Sequence, residues 1–175
     1  ALAGLDAYAP LYQQYTIAER VDRLFGGAHP PRTHAQLALG QYSDLAWLYI
    51  FHGNGYYREA ALKYIRGTPQ SPFEFAALVY RLNDWVPEVR ESALHYATRQ
   101  FPHTRADVVS DSALFVIPYT EGFTHWTPDA QALLQATLFR PEVLSHLSQT
   151  LMAARSGRVS HTLQYLLQCP AFDTY

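Results

Sequence analysis

Asn83-Asp84-Trp85-Val86-Pro87-Glu88-Val89-Arg90-Glu91-Ser92-Ala93-Leu94 is the stretch whose reading decides the fold. Asn83 to Val86 reads as a turn. Pro87 then opens a helix, because the N–H that proline lacks is one a first helical turn leaves unbonded in any case. Beyond it Val89, Ala93, Tyr96, Ala97 and Phe101 recur at three- and four-residue steps and form one apolar stripe. On the other side of the turn, Ser71-Pro72-Phe73-Glu74 combines an N-cap, a proline at the first helical position and a capping-box glutamate. Phe75, Leu78, Val79 and Leu82 carry that helix up to the turn, so the spacing predicts a helical hairpin over 72–101.

A second hairpin precedes it. Ser43 reads as an N-cap for a helix through Leu45, Trp47, Leu48, Ile50 and Phe51, Gly53-Asn54-Gly55 as its turn, and 56–66 as a second helix with Tyr57, Ala61, Tyr64 and Ile65 on one face. Gly67-Thr68-Pro69 ends it. At an offset of 32 residues Arg58 matches Arg90, Glu59 matches Glu91, Ala61 matches Ala93, Leu62 matches Leu94 and Tyr64 matches Tyr96. Amphipathic helices share apolar positions by necessity, so the Arg-Glu pair is the informative part of this internal repeat.

Outward from the two hairpins the chain stays helical in character. Thr16 and Glu19 form a capping box ahead of Ile17, Val21, Leu24 and Phe25, with Gly26-Gly27 as the stop. Pro30-Pro31 interrupts the chain, and a short helix over 33–39 ends at Gly40. After Phe101 the 32-residue register is lost. Residues 104–119 read as a helix stopped near Pro118, with a short strand over Leu114 to Ile117 as the alternative. Thr127-Pro128 and Pro141-Glu142-Val143 open two further helices. A last one carries Val159, Leu163, Leu166 and Leu167 and ends before Pro170.

The stretch from Asn83 to Leu94 resembles the turn and second helix of a HEAT repeat, in which an Asp in the turn precedes a Val-Arg pair and small residues in the second helix. The stretch from His52 to Ile65 resembles a neighbouring copy, departing from the pattern with His52 or Asn54 at the place of the turn Asp and Tyr57-Arg58 in place of Val-Arg. The resemblance covers roughly 45–101. The spacing along the chain predicts an all-α protein of about eight helices in one domain over 1–175, and the resemblance implies that they form a right-handed α-solenoid of antiparallel helix pairs. The resemblance also implies second helices that line a concave surface, in a family used mostly as a protein-binding scaffold. It implies no single activity.

Composition narrows the function. The 175 residues are 49% hydrophobic and 16% charged, which excludes a disordered chain and a charge-laced coiled coil. The formal net charge is −2, and Lys63 is the lone lysine among 13 basic residues, so no dense cationic field offers itself to a nucleic acid. The apolar runs Leu45 to Phe51 and Ala113 to Tyr119 fall far short of the roughly 18 residues of a membrane span. Cys169 is alone, which leaves no intrachain disulfide and fits a reducing compartment, so the cytoplasm is the expected location. The start at Ala1, without a charged and then apolar leader, reads as a processed or trimmed end.

The chemistry-bearing residues are dispersed. The eight histidines, at 29, 34, 52, 95, 103, 125, 146 and 161, lack a His-Glu-x-x-His or His/Cys pattern, so they read as surface or turn residues, and no cofactor or metal is expected. Asp107 with Asp111, and Glu142 with His146, share helix faces, as solvated pairs commonly do. Cys169 before Pro170 reads as a helix end, not a nucleophile. No catalytic residue is therefore assigned, and the expected function is non-catalytic binding of a protein or peptide, with an immunity or inhibitor protein as one version.

The candidate partner-binding residues are Tyr56, Glu59, Lys63, Trp85, Glu88, Glu91, His95 and Arg99, on or beside the second helices away from their core stripes. Tyr56 and Trp85, like Tyr57, His125 and Trp126, lie at or beside predicted turns, where packing is the default role and recognition the alternative. Arg58, Asp84 and Arg90 are the candidate ladder between turns. The alternative is a nucleic-acid-acting enzyme such as the HEAT-like DNA alkylation glycosylases, which the interleaving of Arg58, Lys63, Arg66, Arg90 and Arg99 with Glu59, Glu88 and Glu91 disfavours. A HEAT-like lyase for a pigment chromophore finds no supporting residue.

Overall fold

The structure is a computed structural model that describes residue 20 and residues 31–153 and 159–167. Among them the chain forms α-helices and short 3-10 turns and no strand. The α-helices are α1 (Pro31–Gln41), α2 (Ala46–Tyr49), α3 (Gly55–Tyr64), α4 (Pro72–Leu82), α5 (Pro87–Gln100), α6 (Ala106–Thr120), α7 (Pro128–Leu138), α8 (Pro141–Ala153) and α9 (Val159–Leu166). The all-α expectation is met, with nine helices among the described residues where about eight were expected of the whole chain. The capping box at Thr16 and Glu19, the glycine stop behind it, His29 and Cys169 lie outside the described residues.

Local chemistry sets most boundaries. Ser71 Oγ accepts the Glu74 N–H at 3.2 Å, while Glu74 Oε2 reaches past the usual capping-box donor to the N–H of Gln70 at 2.6 Å. Thr127 caps α7 by accepting the Ala130 N–H at 3.2 Å. The differences from the sequence reading are also local. Pro31 starts α1 at its first position instead of interrupting the chain, and α1 runs through Gly40 to Gln41. Ser43 does not cap a long helix: it opens the 3-10 turn Ser43–Leu45, and α2 behind it has only four residues. Leu114 to Ile117 is helical, and α6 continues two residues past Pro118, whose missing N–H removes only the helical bond to the Leu114 carbonyl.

The chain divides into two compact units, 1–67 with 85–96 and 68–84 with 97–175. α5 runs through both, so the predicted hairpin over 72–101 supplies α4 to the second unit and most of its partner helix to the first. In the first unit α1 and α2 both pack on α3. Contact from two sides buries Tyr57, Arg58, Ala60, Ala61 and Leu62, a wider face than the single stripe read from the sequence, while Tyr64 is only half-buried.

In the second unit α6 is the hub, touched by α4, α7, α8 and α9. That position explains its composition. Val108, Val109, Ser110, Ser112, Ala113, Val116 and Ile117 are all buried, so α6 is apolar or small on nearly every side, as a helix surrounded by others must be. The buried hydroxyls are satisfied within the helix: Ser110 donates to the Asp107 carbonyl at 3.1 Å and Ser112 to the Val109 carbonyl at 2.7 Å. Phe75 and Phe101, both fully buried, tilt against each other with centroids 4.5 Å apart. Arg140, between α7 and α8, donates to the carbonyls of Pro102 and Thr104, each at 2.6 Å, and ties the α5–α6 turn to the C-terminal helices.

Candidate functional site

The turn before α3 carries a connected set of aromatic and basic side chains. Asn54 caps the helix, its Oδ1 accepting the Tyr56 N–H at 3.0 Å. The N–H of Asn54 itself is donated to His52 Nδ1 at 2.9 Å, so that ring nitrogen is an acceptor and carries no proton. The His52 ring stacks on Tyr57 with centroids 4.1 Å apart, Tyr49 meets the same ring edge-on at 5.2 Å, and the Tyr57 hydroxyl lies 2.9 Å from His34 Nδ1 on α1. His34 and His52 are buried; His34, on α1, corrects the reading of the histidines as surface or turn residues, whereas His52 is a turn residue. The Tyr57 hydroxyl and the Asn54 N–H each engage the Nδ1 of one of these rings. His95, His103, His125, His146 and His161 are exposed.

Arg58 is 3% exposed. Its Nη1 donates to the carbonyls of His52 and Gly53, both at 2.8 Å, and its Cζ stands over the Trp85 ring, 5.6 Å from the centroid. A buried guanidinium needs its solvation replaced, and the turn carbonyls and the indole face do so. Arg90, half-buried, donates from Nη1 to the Trp85 carbonyl at 3.2 Å. Each arginine thus bonds the carbonyl five residues before it, in its own turn. The pairs are related by the same 32-residue offset as the sequence match, and α3 and α5 begin at that offset too, at Gly55 and Pro87.

The two turns touch. A Cβ on Gly55 would stand 3.1 Å from Val86 Cγ2, so glycine there permits the close approach. Tyr56 and Trp85 flank that contact and are 52% and 67% exposed. The aromatics read alike from sequence therefore separate: Tyr57 is core, Tyr56 and Trp85 face solvent, and Trp126 packs at 4.9 Å on Phe123.

The remaining candidate residues are placed as follows. Glu59 pairs with Lys63 one turn along α3, and the Lys63 carbonyl accepts from Arg66 Nη1 at 2.6 Å. Glu88, Glu91 and His95 are exposed on the part of α5 that belongs to the first unit. Arg99 is exposed and belongs to the second unit, as does buried Asp84, whose Oδ2 takes Arg81 Nη1 at 2.7 Å.

Asp107 on α6 and Glu142 on α8 each turn to an arginine and not to their candidate partners Asp111 and His146. The side-chain hydrogen bond from Arg105 lowers the Asp107 pKa, Asp111 is exposed, and Glu142 lies 3.5 Å from Arg140. Burial raises the Tyr165 hydroxyl above its ordinary value. Among the described residues no three His, Cys, Asp or Glu side chains are grouped to hold a metal ion, and no helix is long and apolar enough to cross a membrane.

The burial of Tyr57 was readable from its stripe with Ala61 and Ile65. Its histidine partners were not, because each is held by a hydrogen bond that only the folded turn or a neighbouring helix supplies. Compared with protein-family models, curated protein sequences and solved structures, the chain matches none.

Proposed function

We propose that this chain is a helical-repeat binding protein, a short HEAT-like α-solenoid that grips a protein or peptide partner without transforming a substrate. One observation carries the reading: Tyr56 and Trp85 are exposed next to the contact of Gly55 with Val86, in the chain's two matched turns, where arginine–carbonyl bonds repeat at the same offset. Leaving two large aromatics in water forgoes burial of about 1.5–3 kcal/mol for a side chain of that size. Exposed tyrosine and tryptophan with arginine beside them are the residue types that anchor interfaces.

The pattern of helix contacts supports the repeat architecture. α1 meets α3 in the first unit, and α4 meets α6 and α6 meets α8 in the second, the every-second-helix adjacency that stacked helical hairpins produce. The nucleic-acid alternative draws no support from these arginines. Arg58 and Arg90 are spent on turn carbonyls and Lys63 is neutralised by Glu59, whereas phosphate binding needs cations that face the groove.

The test is affinity capture from the source cell with the full chain and with its Y56A/W85A variant. A protein captured by the wild type and lost with the variant, at equal helical circular dichroism, is the expected result. Equal capture by both, or none by the wild type, overturns the reading.

A further inference from the structure

We infer that the turn before α3 is a proton-operated latch: a proton taken up by His52 at Nδ1 opens the turn and undoes the arrangement of Arg58 and Trp85 built on it. The inference goes beyond the binding function proposed above and does not depend on it. Its first support is the polarity of one bond. The Asn54 N–H donates to His52 Nδ1 at 2.9 Å, so the neutral ring carries its proton on Nε2 and has Nδ1 as the site for a second. A backbone N–H is a donor only. Once Nδ1 is protonated, two N–H groups face each other and the bond is lost, while the ring is buried and stacked on Tyr57 at 4.1 Å. The other buried histidine behaves differently. His34 Nδ1 lies 2.9 Å from the Tyr57 hydroxyl, which donates to a neutral ring and accepts from a protonated one, so that pair survives in either state.

The second support is what the same turn holds. Arg58 Nη1 donates to the carbonyls of His52 and Gly53, and its Cζ lies 5.6 Å from the Trp85 ring centroid. Asn54 Oδ1 caps α3 through the Tyr56 N–H, and Gly55 meets Val86 in the next turn. Displacing the Asn54 N–H therefore reaches the cap, the two carbonyls and the contact with the turn of Trp85, all within the first unit. Among the described residues α2 brings Tyr49 to the His52 ring, edge-on at 6.0 Å, α3 brings Tyr57 and Arg58, and α1 brings His34 behind Tyr57. Arg58 keeps its positive charge, so a cationic His52 adds a like charge to the same turn. The closed turn keeps the ring neutral, and the open turn lets it titrate near the ordinary histidine value of about 6.5. Closure is thus at full strength above that pH and weakens as the pH falls below it.

The test is NMR of the full chain between about pH 7.5 and about pH 5.5, a range centred on the ordinary histidine value. At the upper end the ring nitrogens of His52 are expected to report the Nε2–H tautomer. Towards the lower end the protection factor of the Asn54 amide is expected to fall about tenfold, the limit for one histidine over that range, with the Trp85 indole N–H signal shifting in step. H52N keeps an acceptor for the same N–H, as asparagine does in an Asx turn, and takes up no proton there, so its Asn54 protection is expected to stay constant. H34Q is expected to follow the wild type. In the wild type alone, an Nδ1–H tautomer at the upper end, constant Asn54 protection, or a fixed Trp85 signal while Asn54 opens overturns the latch, whether or not the variants fold. An equal fall in H52N overturns it too, as does a fall abolished by H34Q, which would place the sensitivity at His34.

Discussion

At the scale of single residues, Arg58 and Arg90 occupy matched positions and do unequal work. Arg58 is buried and gives one nitrogen to two carbonyls at 2.8 Å, whereas half-buried Arg90 reaches the Trp85 carbonyl at a longer 3.2 Å. Hydrogen bonds from a charged donor contribute about 1.5–3 kcal/mol where water is excluded, and removing the donor leaves two turn carbonyls to be satisfied afresh. R58A is therefore expected to lower stability by about 2–4 kcal/mol. R90A, with its guanidinium and carbonyl near solvent, is expected to cost about 1 kcal/mol or less. Urea midpoints with unchanged slope check the order; an R90A loss as large as that of R58A would show that the two turns carry equal strain. Within the same turn, a protonated His52 Nδ1 would face the Asn54 N–H instead of accepting it, so the neutral ring is the form this turn uses.

At the scale of elements, two glycines have opposite consequences. Gly40 lies in the last turn of α1, and a Cβ there meets nothing nearer than the Tyr64 hydroxyl at 4.0 Å. G40A is expected to stabilise by about 0.4–1 kcal/mol, because alanine loses less backbone entropy on entering a helix. Gly55 opens α3, and a Cβ there would lie 3.1 Å from one methyl of Val86 and 3.4 Å from the other. That crowding outweighs the small propensity gain at a first helical position, so G55A is expected to cost about 1 kcal/mol. G55A/V86A is then expected to be less destabilised than the two single changes added together, and a double-mutant cycle measured by thermal unfolding reads the coupling directly. Additive effects would mean that the two turns do not press on each other at this contact.

At the scale of the whole molecule, the second unit is organised around α6 and depends on small side chains where four helices meet it. Ala113 is fully buried on that helix, whereas Ala132 is exposed on α7. A113L forces extra methylenes into a packed interior and is expected to cost about 1–3 kcal/mol. A132L is expected to stay within about 0.5 kcal/mol of the parent. Calorimetric unfolding separates them, and equal midpoints would mean that the surroundings of α6 are loosely packed. The first unit shows the opposite arrangement at its surface, where the indole of Trp85 is exposed with the buried Arg58 guanidinium 5.6 Å from its centroid.

The sequence by itself determined the helical class, the stripe Val89, Ala93, Tyr96, Ala97 and Phe101, the caps at Ser71 and Thr127, and the 32-residue match of Arg58 with Arg90. All of these follow from interactions within a turn or two of one helix, where spacing and residue type suffice. The sequence also brought Tyr56 and Trp85 forward, but only as members of a larger set of turn aromatics. The tertiary structure decided that these two face solvent while Tyr57 is core, that His34 and His52 are buried, that α2 is reduced to four residues, and that α6 is a hub. Several of those outcomes depend on a partner distant in the chain: a hydroxyl on a neighbouring helix for His34, a valine in the facing turn, or four helices closing on one. No local pattern encodes such partners, because the free energy that fixes them arises only when the surfaces meet.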